Sequence, residues 1–285
     1  MLAATTFLLI ASTTSPTLVP ILTPDTTVAQ QVAMARAQLR GGDLADGYAT
    51  YLAASTRAAT PEEWAIFARD LSWIASPGEL KAWEATSSAA DRTAFLRTFW
   101  SERDARDDLP EGGRLAEQVR RLDIAMVRYR IAPRRGVAPV MRASAGSDQG
   151  FFGTVYGADS PLRDYAPAQG MLDDRGVIFV RHGEPDAITI AAGNRLESWT
   201  YEIEGHARTV HFTDAAFDGS SGNGTLVAVA PRGSFAALCQ SDPLYCAPAA
   251  RATGFPPEQA QRVRAASLEA IKVLTTTDAA ASKES

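Results

Sequence analysis

The chain has 285 residues, of which 46% are hydrophobic and 21% charged, and its formal net charge is −5 at pH 7. This length and composition allow one large or two small domains with a substantial hydrophobic core. The acidic balance argues against a general nucleic-acid-binding protein, because such proteins normally present a basic face.

Residues 1–29 have the features of a processed leader. Residues 2–11 form an apolar, threonine-rich run, and Thr27-Val28-Ala29 has the small-x-small pattern of a cleavage site. Prolines interrupt the stretch that follows, so the run is too short for a membrane-spanning helix. The sequence therefore predicts an exported protein of the periplasm or cell envelope, with no integral membrane span after processing. A disordered tail is the alternative.

Residues 30–82 are predicted to be helical. Val32, Ala35 and Leu39 recur at helical spacing, Gly41-Gly42 ends this helix, and a second helix follows. The pair resembles one tetratricopeptide-like hairpin, which cannot bury its apolar face alone and must pack on the next helices. Thr60-Pro61-Glu62-Glu63 predicts the start of a third helix, with a capping threonine and a proline in the first turn.

Residues 83–235 are predicted to form an α+β domain that begins with helices. A helix over residues 88–100 carries aromatic side chains at helical spacing, which indicates core packing. A longer amphipathic helix over residues 114–130 has a basic side, usually solvated or paired to acids. That side consists of Arg120, Arg121, Arg128 and Arg130. Residues 133–160 lack periodicity and predict a connector.

A charged loop is predicted between these two helices, over residues 102–113. In it, Arg103 and Asp104 are placed to reach the central stretch of the chain and to pair there with Asp174 or Arg175. Exposed ion pairs contribute at most about 1 kcal/mol, so these pairs are expected to orient the loop without anchoring the fold.

The central stretch, residues 170–186, reads GMLDDRGVIFVRHGEPD. Its Asp-Asp-Arg-Gly element at 173–176 predicts a turn. The unbroken apolar run at 177–180 predicts a strand that is buried on both faces. Gly183 and Pro185 end this strand. The ionisable residues around them are therefore expected at a strand end, where scaffolds often carry functional groups.

Two chemical interpretations of this strand end are open. Arg181-His182-Gly183-Glu184 resembles the histidine-phosphatase motif, in which the histidine becomes phosphorylated inside a cationic cradle near a second histidine. The candidates for a second histidine, His206 and His211, follow too closely for the insertion that such enzymes carry. A hydrolase using His182, Glu184 and Arg181 nevertheless remains the alternative function.

A metal site is the other chemical interpretation. His182, Glu184 and Asp186 alternate along the chain and offer imidazole and carboxylate ligands. Gly183 and Pro185 interrupt that alternation, so a structural role is favoured. In that role His182 and Glu184 bond loop backbone and Asp186 caps a turn, and neither a metal nor a cofactor is expected.

The stretch as a whole resembles the GWxTD domain family. That family is named for a Gly-Trp-x-Thr-Asp element, which is followed by Arg-Gly, a short strand and Gly-Glu-Pro-Asp. Met171 and Asp173 stand here where the family has Trp and Thr. The matching residues are Gly170, Asp174, Arg175, Gly176, Gly183, Glu184, Pro185 and Asp186.

The resemblance extends on both sides of the central stretch. Upstream it includes Phe99-Trp100, Arg103-Asp104, Glu117 and Arg121, and downstream the element Trp199-Thr200-Tyr201. The family has no established catalytic activity, so the resemblance implies no catalytic residues. It implies instead a non-enzymatic interaction or scaffolding module with a protein partner.

Short strands and a last helix are predicted after the central stretch. Alternation over residues 196–204 places Trp199 and Tyr201 on one face, and strands at 209–213 and 225–229 complete an antiparallel meander. In the last segment, residues 236–285, a disulfide loop, a helix and a polar tail over residues 275–285 are predicted. Cys239 and Cys246 form a local disulfide, and a helix starts at Pro256-Pro257.

The predicted fold class is therefore α+β. A helical N-terminal half is followed by a small antiparallel β-sheet, built around residues 177–181, and by a C-terminal helix.

Overall fold

The computed structural model describes residues 26–131, 171–191, 196–214, 224–227, 238–239, 243–246 and 257–278, and the fold in these ranges is α+β. The predicted connector at 133–160, Gly170 and most of the predicted leader lie outside the described residues. The helices are α1 Val28–Gly41, α2 Leu44–Arg57, α3 Pro61–Ser72, α4 Pro77–Glu84, α5 Ala89–Arg106, α6 Gly113–Arg128, α7 Asp174–His182 and α8 Pro257–Thr276. The strands are β1 Ala187–Ala191, β2 Leu196–Ile203, β3 His206–Asp214 and β4 Gly224–Val227.

The N-terminal helices begin where side chains satisfy free backbone amides. Thr27, Thr60 and Ser76 each form a capping box at the start of α1, α3 and α4, which pairs two otherwise unsatisfied donors per helix. The predicted helix start at Thr60-Pro61 is confirmed, with Pro61 in the first turn.

A cluster of packed aromatic side chains forms the core of this helical half. The ring of Tyr51 packs against Phe67 at 5.2 Å between centroids, and Phe99 packs against Trp100 at 5.0 Å. Trp100 and Phe67 are completely buried. The prediction that the aromatic residues of α5 pack in the core is confirmed. Large aromatic rings contribute much of the hydrophobic free energy of a core.

Helix α5 corrects the prediction of a charged loop after residue 100. The helix continues to Arg106, so Arg103 and Asp104 lie in its last turns, 6% and 5% exposed. The guanidinium of Arg103 lies 3.6 Å above the ring of Phe99. Both residues are buried because partners for their charges are available inside the fold, and periodicity in the sequence does not reveal such partners.

Helix α7 corrects the prediction of a strand at residues 177–180. The chain reaches it through a short antiparallel bridge between Arg130 and Leu172. Asp173 then caps the helix by accepting a hydrogen bond from the Gly176 N–H at 3.0 Å. The four apolar residues of the run are at most 1% exposed. A short helix buried on every side has the same unbroken apolar pattern as a buried strand, which is why the sequence pattern misleads here.

The sheet lies after α7 and is not built around residues 177–181. Its four strands in the described ranges follow the order β1-β2-β3-β4, with antiparallel pairing throughout. The predicted meander is confirmed, although β1 was not predicted. Trp199 and Tyr201 share a buried face, where Trp199 packs against Tyr129 and Tyr201 donates to the Gly183 carbonyl at 3.0 Å.

Two further predictions concern the last segment and the membrane. Cys239 and Cys246 are joined in the predicted disulfide, with their Cα atoms 4.6 Å apart. The helix predicted from Pro256-Pro257 is confirmed as α8, but it continues to Thr276 and so includes the first two residues of the predicted polar tail. None of the helices in the described ranges is long and apolar enough to cross a bilayer.

Candidate functional site

The arginine of the central motif holds two helix ends together. Arg181 is completely buried at the end of α7. Its guanidinium donates to the carbonyls of Ile74 and Ala75, each at 3.0 Å, and to that of Thr277 at 3.2 Å. These carbonyls follow α3 and α8, where a helix leaves acceptors without internal partners and where a cation is favoured by the helix dipole.

The histidine of the motif is buried beside it. His182 is 4% exposed, and its Nε2 lies 2.8 Å from the carbonyl oxygen of Leu274 in α8. A carbonyl only accepts, so Nε2 carries the proton. Burial lowers the pKa of His182 to about 3, and the charges of Arg181 and Arg121 act in the same direction. The imidazole is therefore neutral at physiological pH and fixes the last helix.

The other predicted site residues point elsewhere. Glu184 is exposed and forms an ion pair with Arg128 at 2.6 Å. Asp186 accepts a hydrogen bond from the Glu202 N–H at 2.7 Å. The ionisable residues of the motif thus do not converge on one site. Among the described residues, no three His, Cys, Asp or Glu side chains are grouped so that they could hold a metal ion.

The acidic residues before α7 serve both this helix and the edge of the sheet. Asp173 accepts from the Gly224 N–H at 2.7 Å and from Arg175 Nη2 at 2.6 Å, and Asp174 accepts from the Leu226 N–H at 2.9 Å. The two carboxylates therefore cover the outer edge of β4, which would otherwise expose free amides. The sequence predicts a turn at these residues, but Asp173 caps α7 and Asp174 begins it. Neither carboxylate pairs with Arg103.

At two positions of the motif, Gly176 and Gly183, the structure leaves no room for a side chain or holds the backbone in a conformation that favours glycine. A Cβ at Gly176 would lie 2.9 Å from the Cβ atoms of both Leu172 and Tyr129, so α7 approaches its neighbours closely there. Gly183 has φ +79° and ψ −153°, a backbone conformation essentially reserved for glycine. The guanidinium of Arg121 packs on Gly183 and donates to the Arg181 carbonyl at 2.8 Å.

A second cluster holds Asp278, which lies two residues after α8; of the cluster's arginines, only Arg103 is among the site residues predicted from the sequence. We call it the arginine socket and define it by Arg103, Arg106 and Arg114. The Asp278 carboxylate lies 3.1 Å from Arg103 Nε, 3.1 Å from Arg106 Nη1 and 3.4 Å from Arg114 Nη2. Burial alone would raise the pKa of Asp278, but the hydrogen bond from Arg106 and the charges of the other two arginines hold it well below its usual range.

Acidic partners balance the charge of the arginine socket. Glu79 accepts from Arg103 at 2.9 and 3.1 Å, and Asp107 accepts from Arg106 at 2.6 and 2.9 Å. Asp104 accepts from the backbone N–H of Gly112 at 2.8 Å and of Arg114 at 2.6 Å. The Arg103-Asp104 element is visible in the sequence, but no local pattern links it to Asp278, because the arginines that bind Asp278 are 164 to 175 positions away.

A groove lies on the surface of α2, away from the motif. It encloses about 500 Å³ and is lined by Tyr48, Leu52, Arg97, Glu111 and small residues of α2. None of the predicted site residues lines it.

Comparisons of the chain with models of protein families, with curated proteins and with solved structures each find no match.

Proposed function

We propose that this chain is an exported, non-enzymatic interaction module of the GWxTD type that binds a protein partner. The supporting observation is the position of the His182 imidazole, which is buried and bonded to the Leu274 carbonyl at 2.8 Å. A nucleophilic histidine needs access to its substrate. In this arrangement the Arg181-His182 pair joins α7 to α8 and leaves no reacting atom at a surface.

Export is supported by the disulfide between Cys239 and Cys246. Disulfides persist in oxidising compartments and are rare in the reducing cytosol. The apolar run near the start of the chain points the same way, as a signal segment.

The first strand of the sheet supports a protein as the partner. In the described sheet β1 is the first strand and pairs with β2. Its Ile188 and Ile190 are 49% and 68% exposed. Exposed β-branched residues on a sheet edge are a liability unless another chain covers them. We expect the partner to bind along this strand, where two apolar side chains are exposed together.

An activity screen separates this proposal from the hydrolase alternative. We expect p-nitrophenyl phosphate and p-nitrophenyl acetate to be turned over at the same background rate by the wild type, by His182→Gln and by Glu184→Gln. Glu184 is exposed, so its variant is expected to fold even if that of the buried His182 is destabilised. Turnover by the wild type that Glu184→Gln lowers strongly would contradict the proposal.

A matched pair of lysine variants tests the partner surface. Ile190→Lys replaces the more exposed of the two isoleucines of β1 with a charge, whereas Val127→Lys places the same charge at an 85% exposed site on α6. We expect proteins cross-linked to the wild type in cell-envelope extracts to be lost with Ile190→Lys and kept with Val127→Lys. Equal cross-linking with both variants would show that β1 is not the binding edge.

A further inference from the structure

The groove on α2 carries one positive and one negative side chain. Arg97 of α5 and Glu111, which lies between α5 and α6, both line it, and both are exposed. Among the described residues neither of them lies within ion-pair distance of an opposite charge, and they do not pair with each other. The groove therefore offers a cation and an anion to a molecule that binds in it.

The floor of the groove is formed by small side chains of α2. Ala45, Ala49 and Ala53 are exposed and recur at intervals of four residues, which places them on one face of the helix. The charged lining residues lie outside α2. A second helix can approach such a face closely, because the distance between packed helices depends on the size of the side chains at the contact.

Glu111 lies beside the start of α2. The next residue, Gly112, is so close to the helix that a Cβ there would lie 2.7 Å from the Tyr48 Cβ and 3.1 Å from the Leu44 carbonyl oxygen. Leu44 is the first residue of α2. The negative charge is thus level with the first turns of the helix, near Ala45.

Arg97 lies farther along the same helix. The Ser55 hydroxyl donates to Thr93 Oγ1 at 3.1 Å, and the Tyr48 hydroxyl donates to the Arg97 carbonyl oxygen at 3.3 Å. These two contacts show that α5 runs antiparallel to α2. Arg97 follows Thr93 by about one helical turn. The positive charge is therefore displaced from Glu111 toward the C-terminal half of α2.

We propose that the groove is the interface of a symmetric dimer, in which α2 of one copy of the chain packs antiparallel on α2 of a second copy. A two-fold axis beside Ala49 brings Ala45 of each copy to Ala53 of the other, so the same surface serves both copies. The rotation also brings Glu111 of each copy level with Arg97 of the other, on the same side of the helix pair. Two ion pairs then form across the interface, between charges that have no ionic partner within the described part of one copy.

Charge reversal tests this interface. Analytical ultracentrifugation over a series of protein concentrations is expected to show a monomer–dimer equilibrium for the wild type. Arg97→Glu and Glu111→Arg each place two like-charge contacts in the dimer, so each variant is expected to dimerise about tenfold or more weakly. A mixture of the two variants is expected to restore dimerisation, because each copy then meets an opposite charge at both contacts. Both side chains are exposed, so both variants are expected to fold.

Cysteine cross-linking tests the position of the two-fold axis. Ala49→Cys places two thiols next to each other in the dimer, and mild oxidation is expected to join the copies covalently. Val127→Cys, at an 85% exposed site on α6, is the control and is expected to give no covalent dimer above background.

Three results would overturn the proposal. The first is a wild type that is monomeric at every concentration, or single charge variants that dimerise as strongly as it does. The second is a mixture of Arg97→Glu and Glu111→Arg that dimerises no better than either variant alone. The third is cross-linking of Ala49→Cys that is no faster than that of Val127→Cys.

Discussion

The Asp278 carboxylate and the Arg103 guanidinium lie 3.1 Å apart although the two residues are 175 positions apart in the chain. Asp278 follows α8 by two residues, so this contact fixes the end of the last helix to α5. The same helix end is held by Arg181, through the Thr277 carbonyl, and by His182, through the Leu274 carbonyl. Three residues from two helices, α5 and α7, thus hold one helix terminus in the core.

Replacing the buried carboxylate is expected to be costly. In Asp278→Asn, three guanidinium groups lose their shared anion in a buried site, and breaking a buried ion pair costs about 3–5 kcal/mol. We expect the free energy of unfolding, measured by urea denaturation, to fall by about 3 kcal/mol. Glu184→Gln is the control, because the pair of Glu184 with Arg128 is exposed and worth well under about 1 kcal/mol. Equal losses of unfolding free energy in the two variants would show that the buried ion pairs of Asp278 stabilise the fold no more than an exposed pair does.

The backbone at Gly183 is expected to reject a side chain. Gly183→Ala places a Cβ at φ +79° and 3.1 Å from the Arg121 guanidinium, so we expect a loss of about 1–3 kcal/mol from backbone strain and displacement of Arg121. Gly205→Ala is the matched control, since Gly205 also has positive φ but no atom within 4 Å of its Cβ position. Thermal unfolding of both variants measures the difference. A Gly183→Ala variant no less stable than Gly205→Ala would contradict the tight contact with Arg121.

The carboxylate of Asp173 is expected to stabilise both α7 and β4. Asp173→Ala removes an acceptor for the amides of Gly176 and Gly224 and for Arg175, so we expect a loss of about 2–3 kcal/mol in urea denaturation. Asp43→Ala is the control. Asp43 occupies the same capping position on α2 but makes no side-chain capping bond there, and about 0.5 kcal/mol or less is expected. A small effect at Asp173 would mean that the edge of β4 is satisfied in another way.

Stability is expected to fall as the pH drops from 7.5 to 5. His182 and His211 have folded pKa values of about 3 and about 4 because they are buried, whereas an unfolded histidine titrates near 6.5. Below that pH the unfolded chain binds more protons than the folded one, so each histidine removes about 2 kcal/mol of stability at pH 5.

Urea denaturation at a series of pH values measures this dependence. His211→Gln is expected to lower the slope between pH 5 and 6 by about one proton, since one titrating group has been removed. A slope that does not change in this variant would show that His211 is not held neutral in the folded state.

The sequence predicts the parts of this fold that have a local cause. The start of α3 follows from Thr60 and Pro61, and the buried face of β2 follows from the alternation of Trp199 and Tyr201. The prediction at residues 177–180 is wrong because α7 is buried all round, so that no helical period separates an inner from an outer face. The sequence predicts a loop at Arg103 because one of its anionic partners, Asp278, is 175 positions away and leaves no local signal.

In the candidate site, too, local features can be predicted from the sequence and distant contacts cannot. The clustering of ionisable residues identifies the motif, and the sequence favours a structural role for His182. The predicted partner was loop backbone, whereas the actual acceptor is the Leu274 carbonyl in α8. No local pattern links these two residues, since the contact arises only when α7 and α8 pack together.

Hydrogen exchange of the α8 amides in His182→Phe tests the role of the motif most directly. Phenylalanine fills a similar volume but donates no hydrogen bond, so the buried Leu274 carbonyl loses its partner at a cost of about 1–3 kcal/mol. We expect the amides of α8 to exchange about tenfold faster or more, with a smaller change in α1 and α2, and no change in His206→Phe. Unchanged exchange in α8, together with the loss of a hydrolytic activity that the wild type possesses, would contradict a structural role and favour a catalytic one.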